Sequence, residues 1–155
     1  MKTAEDILSE KGGEVAWVTR DHLVFDAVRI MNKRKIGALL VKDGDRVVGI
    51  WTERDFLRSS ADADFDPKTA RVGDSMSSPV QYARHDATLT EMEEMFLGLF
   101  LRHLPVQKAG RFIGMLSIGD VLRADLLEKD RRIKQLNSLA SWQYYENWGW
   151  DRKKR

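Results

Sequence analysis

Cysteine is absent from the 155 residues. Disulfides, thiolate metal sites and cysteine nucleophiles are thereby excluded, and a reducing compartment fits, with the cytoplasm as the expected location. Histidine is scarce, at three residues. His22, His85 and His103 stand in no cluster with Asp and Glu at metal-ligand spacing, so no metal site is expected. There is no Walker loop, dinucleotide fingerprint or nucleophile elbow, and the close acids Asp62, Asp64 and Asp66 read as linker solvation. No catalytic residue is assigned, and an enzyme is not expected. Long apolar runs are missing as well: the longest, Met95 to Leu101, falls far short of the about 20 residues that a bilayer span needs. With acids at Glu5 and Asp6 the N-terminus lacks the apolar core of a secretory signal, so the mature chain is expected to start near Met1.

A chain with 26 Lys and Arg against 24 Asp and Glu, and a pI near 8.9, invites a nucleic-acid reading until the charges are placed. Ala124 to Arg155 holds eight basic and five acidic residues, a net of +3, which leaves Met1 to Arg123 at −1. A nearly neutral body lacks the broad positive field that binding to a phosphate backbone requires, so nucleic acid is not an expected partner.

What the chain does contain is an internal repeat. At a constant offset of 65 residues, Asp21 falls on Asp86, Leu39 on Leu104, Val41 on Val106, Arg46 on Arg111, Gly49 on Gly114, Asp55 on Asp120, Leu57 on Leu122 and Arg58 on Arg123. Upstream, Asp6-Ile7-Leu8 matches Asp74-Ser75-Met76 at an offset of 68, so the first copy carries three extra residues near Lys11-Gly12-Gly13.

Both copies change period in the same order. Val24, Ala27, Val28 and Met31, and likewise Leu89, Met92, Met95, Phe96 and Leu99, recur at helical spacing, with a capping box at Thr88 and Glu91. Short apolar runs joined by turn residues follow: Ala38 to Val41, Asp43-Gly44-Asp45 and Val47 to Trp51, then their counterparts Leu104 to Val106, Lys108-Ala109-Gly110 and Phe112 to Leu116. A helix is expected from Thr52 and from Ser117, and a further strand before each first helix, at Val15–Val18 and Val80–Tyr82. A unit of this size cannot bury a full core alone, so the copies are expected to pack together with pseudo-twofold symmetry. The expected class is α/β (α+β), with residues 1–58 as the first repeat, 59–70 as linker, 71–124 as the second repeat and 125–155 as a C-terminal helical extension. Its helix is expected to run from about Gly119 toward Tyr145.

Each second strand leads into one pattern, Gly49-Ile50-Trp51-Thr52-Glu53-Arg54-Asp55 and Gly114-Met115-Leu116-Ser117-Ile118-Gly119-Asp120. The plain structural reading is a helix cap, whose hydroxyl and carboxylate satisfy free backbone N–H groups. The same helix start offers donors and a positive dipole end to an anion, while a carboxylate there can accept both hydroxyls of a ribose. The two readings are compatible.

Over Thr3 to Ala124 this doubled pattern resembles tandem CBS domains, the Bateman module. The resemblance implies a β-α-β-β-α unit used twice, with clefts between the copies that bind adenosine-containing ligands such as AMP, ADP, ATP, NAD(H) or S-adenosylmethionine. It implies that Asp55 and Asp120 hold ribose and that Thr52 and Ser117 lie near the ribose-phosphate. At the strand entry the copies differ, Ile36-Gly37-Ala38-Leu39 against Leu101-Arg102-His103-Leu104. Arg102 and His103 are therefore candidate phosphate contacts, because guanidinium and imidazolium groups make charge-assisted hydrogen bonds. Ile36, Gly37 and Ala38 are candidates for the adenine side, since small residues leave room for a flat ring. Arg54 is a further phosphate candidate, against a local ion pair.

Surplus apolar residues on the helix from Glu91, namely Leu97, Phe100 and Leu101, mark an interface, as does the seven-residue recurrence of Leu126, Ile133 and Ala140. The resemblance implies a homodimer built through helices. Trp142, Tyr144, Tyr145, Trp148 and Trp150 crowd the tail ahead of Arg152 to Arg155. The expected function is a stand-alone regulatory sensor that binds an adenine nucleotide and signals through a homodimer. The alternative is an adaptor that recruits a protein partner through Trp142 to Trp150.

Overall fold

The computed structural model describes residues 1–147, with side chains as far as residue 139. The aromatic and basic tail assigned to partner recruitment therefore lies outside the described side chains.

Two copies of one element order follow each other. The first has α1 (Ala4–Lys11), β1 (Trp17–Val18), α2 (Val24–Arg34), β2 (Ala38–Asp43), β3 (Arg46–Thr52) and α3 (Glu53–Ser60). The second opens with a short 3-10 turn (Val72–Asp74) and continues with β4 (Ala83–Arg84), α4 (Leu89–Leu99), β5 (His103–Lys108), β6 (Arg111–Ser117) and α5 (Ile118–Asn147). Each copy forms a three-stranded sheet in which the first strand runs parallel to the second and the second antiparallel to the third. Even the register slips at the same place, between Val41 and Lys42 and between Val106 and Gln107.

Local chemistry sets the helix starts. Thr3, Thr52 and Thr88 each close a capping box with the acid three residues on, Asp6, Asp55 and Glu91, so that one side chain satisfies the first turn and the other satisfies the cap residue itself. Helices α2 and α4 both end on a residue in the left-handed region, Lys35 and Phe100, each with φ of 53°. That reverses the chain into the next strand even without glycine.

The sequence places the leading segment of each copy with its own repeat, but its packing is reciprocal. Ala4 and Ile7 of α1 sit in the core of the second repeat, among Met92, Phe96, Leu104, Leu116 and Val121. Val72 and Met76 pack into the core of the first repeat, with Val24, Met31, Val41 and Trp51. Matching bridges seal the exchange, Thr3 with Thr88 and Leu23 with Arg71. Burying Ile7 in the other repeat contributes about 1.5–3 kcal/mol, which ties the two halves into one body.

The exchange also shifts one expected strand. At Ser77 the chain still exchanges both backbone hydrogen bonds with Ile50 of the other repeat, at 2.8 and 3.1 Å. It reaches its own sheet only at Ala83, so the strand lies at Ala83–Arg84 rather than Val80–Tyr82; its counterpart is confined to Trp17–Val18. Among the described residues no helix is long and apolar enough to cross a membrane.

Candidate functional site: two unequal clefts between the repeats

Reciprocal packing leaves two clefts, each walled by both repeats. The first, about 660 Å³, gathers Thr52, Arg54 and Asp55 from the α3 start, Ser77 to Gln81 from the segment that crosses over, and Leu101, Arg102 and His103 from the β5 entry. The second, about 1080 Å³, gathers the matching set: Ser117, the segment Gly12 to Trp17, and Ile36, Gly37 and Ala38 at the β2 entry. Arg102 and His103 share the first cleft with Asp55, and Ile36 and Ala38 share the second with Ser117; Gly37, His103 and Ser117 line both, and Ile118 and Gly119 reach the first as well.

In the first cleft Asp55 is 4% exposed. Its Oδ2 accepts the Thr52 backbone N–H at 2.8 Å and the Thr52 hydroxyl at 3.1 Å. Oδ1 accepts nothing and is not sealed from solvent, since no buried polar side-chain atom among the described residues lacks a partner. The carboxylate therefore caps its helix with one oxygen alone. An oxygen with no internal partner can accept a hydroxyl donor such as a ribose O–H.

Four basic side chains line the same cleft: Arg54, Arg58, Arg102 and His103. Arg54 makes no ion pair with Asp55. Its guanidinium donates instead to the Phe100 carbonyl at 3.2 Å, where α4 ends. His103 is held below its ordinary basicity, first by burial and then by the positive charges of Lys11 and Arg102, against the pull of Glu53 and Asp120. Arg58 also escaped the motif reading, although its recurrence as Arg123 in the repeat was visible.

The second cleft differs in a way that motif reading did not reveal. Asp120 caps as Asp55 does, its Oδ2 accepting the Ser117 N–H at 2.7 Å and hydroxyl at 2.9 Å. The same oxygen takes a third donor, the Lys11 ammonium, at 2.7 Å. Burial pushes the Asp120 carboxyl up, but Lys11 and the Ser117 donors together overcome this and hold it below its ordinary value. The space expected over Gly37 is filled too, by the Glu53 carboxylate, whose Oε1 lies 2.7 Å from where a Cβ would stand. A ring cannot settle on Gly37 unless Glu53 moves. Outside the clefts His22 accepts the Thr19 N–H and His85 pairs with Glu5.

Two like sheets, a reciprocal exchange of leading segments and two hydroxyl-carboxylate caps beside the inter-repeat clefts define a duplicated α/β module. The family model for the CBS domain matches residues 4–62 and again 72–127. The chain is 34% identical over 151 residues to the CBS domain-containing protein CBSX3, mitochondrial, of Arabidopsis thaliana, covering 92% of this chain and 73% of that protein. A crystal structure described as the CBS domain NE2398 superposes with a TM-score of 0.77 and 39% identity, over 81% of this chain and 99% of the other. The crystal structure of CBSX2 in complex with AMP superposes with a TM-score of 0.63 and 29% identity, over 74% and 90%. The chain belongs to the CBS-domain family, as a tandem pair.

Proposed function

We propose that this CBS pair is a non-catalytic sensor that binds an adenosine-containing nucleotide between its repeats and passes occupancy on through helix packing in a homodimer. The observation that carries the reading is a cleft of about 660 Å³ lined by Asp55, whose cap uses only Oδ2, together with Arg54, Arg58, Arg102 and His103. That volume lies within the about 300–1,000 Å³ of small-molecule sites. The carboxylate suits ribose hydroxyls, the arginines and His103 suit phosphates, and Ile50, Pro79, Val80 and Ile118 supply an apolar wall for the base. The AMP named in the CBSX2 structure supports an adenine nucleotide as the ligand class.

The homodimer draws support from apolar residues left outside: Leu97 and Phe100 are 72% and 81% exposed, and Leu126, Ile133, Leu136 and Leu139 line exposed turns of α5. A cysteine-free chain fits the cytoplasm as the compartment in which this sensor works.

Thermal unfolding with AMP, ADP, ATP, NAD(H) and S-adenosylmethionine tests the reading. A nucleotide at about 100 times its Kd stabilises the fold by about 2.7 kcal/mol and raises Tm by roughly 5–10 °C. No shift with any of them, together with no binding heat by calorimetry, overturns it.

A further inference from the structure

The two clefts carry the same motif but differ in what reaches its carboxylate. Asp55 lines its cleft directly. Asp120 does not line the equivalent one; it lies in an adjoining hollow of about 350 Å³, and Lys11 is the residue that borders both spaces along the line to Asp120. The ammonium is fixed twice, on Asp120 Oδ2 at 2.7 Å and on the Met115 carbonyl at 3.2 Å.

The cause is legible in the chain. The three surplus residues of the first copy fall at Gly12-Gly13-Glu14 when α1 is aligned with the 3-10 turn. They follow α1, which runs eight residues where its counterpart runs three, and the first of them, Gly12, at φ of 62°, closes it. The added turn delivers Lys11 to Asp120. On the other side the residue 68 positions on is Pro79, which lines the first cleft and brings neither charge nor donor to Asp55.

We propose that Lys11 makes the clefts unequal: it occupies Asp120 as an internal stand-in for a sugar, so that each chain takes one adenosine nucleotide, in the Asp55 cleft. The inference rests on the nucleotide reading above and assigns the ligand to one of two sites that share a motif. A ligand entering the second cleft must move the Lys11 ammonium, which borders that cleft and is bonded to Asp120 Oδ2, before its hydroxyls reach Asp120, whereas Asp55 lines its cleft with no ammonium on its carboxylate.

The test is isothermal calorimetry of the full chain with AMP. Wild type is expected to bind one AMP per chain, Asp55→Asn to weaken that binding at least about tenfold, and Asp120→Asn to leave it within about twofold. Lys11→Met is expected to open a second site and raise the stoichiometry to two, and Lys11→Met with Asp120→Asn to return it to one. Two sites in wild type, one site or fewer in Lys11→Met, or full affinity in Asp55→Asn overturns the inference while leaving nucleotide binding intact. Absence of AMP and every other adenosine ligand from wild type and Lys11→Met alike overturns the nucleotide reading and the inference with it.

Discussion

Leu8 sets the branched end of its side chain on Gly114, with Cδ2 only 2.7 Å from where a Cβ would stand. The same relationship recurs on the other side, where Met76 Sδ lies 2.6 Å from the Cβ position of Gly49 and the Ser77 carbonyl 3.0 Å from it. The glycine that opens each motif thus has a packing reason. It lets the leading segment of one repeat lie flat on the hairpin of the other.

Alanine at either glycine is expected to cost about 1–3 kcal/mol by overpacking. Gly49→Ala should cost more than Gly114→Ala. A leucine side chain can rotate away, whereas the Ser77 carbonyl is fixed by its hydrogen bond from Ile50 at 3.1 Å. Urea unfolding at unchanged m-value measures both, and Leu8→Ala with Gly114→Ala should recover part of the loss, since neighbours in contact are not additive. Equal costs for the two glycines would sink the account.

The repeat, the hairpins, the α4 cap and the motif carboxylates were legible because each is a local pattern: a period, a turn residue, a hydroxyl three residues ahead of an acid. The exchange of leading segments was not. Nothing in Ile7 or Val72 says which of two similar cores receives it, because both cores want the same apolar volume. Lys11 was hidden for a related reason, its partner lying 109 positions away. What could be seen was the surplus of three residues beside it, without the longer helix α1 that ends on Lys11. The expected space above Gly37 failed because Glu53, read as a variable motif position, turns its carboxylate back over the strand entry.

Because α1 packs on the second repeat, Ile7→Ala is expected to loosen that repeat rather than its own. The substitution removes a side chain that is 4% exposed from the core of Leu116 and Val121 and should cost about 2–4 kcal/mol. Hydrogen exchange locates the effect: amides of β5 and β6 should lose protection ahead of those of β2 and β3. Loss confined to β2 and β3 would contradict the exchange.

Thr52 and Asp55 separate capping from binding. Thr52→Ala removes the hydroxyl that accepts the Asp55 N–H at 3.4 Å and should cost about 1 kcal/mol, with Thr52→Ser restoring it. Asp55→Ala removes both the cap acceptor and the free Oδ1, so it should cost a similar amount in stability and abolish AMP binding. Denaturation and calorimetry on the same samples check this, and an Asp55→Ala protein that binds AMP as wild type does would reduce the motif to a cap.

The exposed stripe on α5 predicts the assembly. Sedimentation should give twice the 17.9 kDa chain mass for wild type, and Ile133→Glu with Leu136→Glu should shift the protein toward the single-chain mass, because charges on a helical seam oppose pairing. Helicity and Tm should change little, as both side chains face solvent within one chain. An unchanged mass places the interface elsewhere, with Leu97 and Phe100 of the α4 end the next pair to substitute.

His103 predicts a pH dependence of known sign. Burial first, then Lys11 and Arg102, hold its basicity below the ordinary value of 6.5. The folded chain therefore refuses a proton that the unfolded chain accepts. Above about pH 6.5 neither state is protonated and nothing is lost; as pH falls from there toward the folded value, stability declines, and below that value the loss is complete. His103→Gln should flatten this part of the stability profile. A phosphate in the first cleft reverses the local charge balance and favours the imidazolium, so AMP binding should take up protons just below pH 6.5 and strengthen as pH falls. Calorimetry in buffers of different ionisation enthalpy reads the uptake directly; wild type should show it and His103→Gln should not, and equal uptake in both would remove His103 from the phosphate's surroundings.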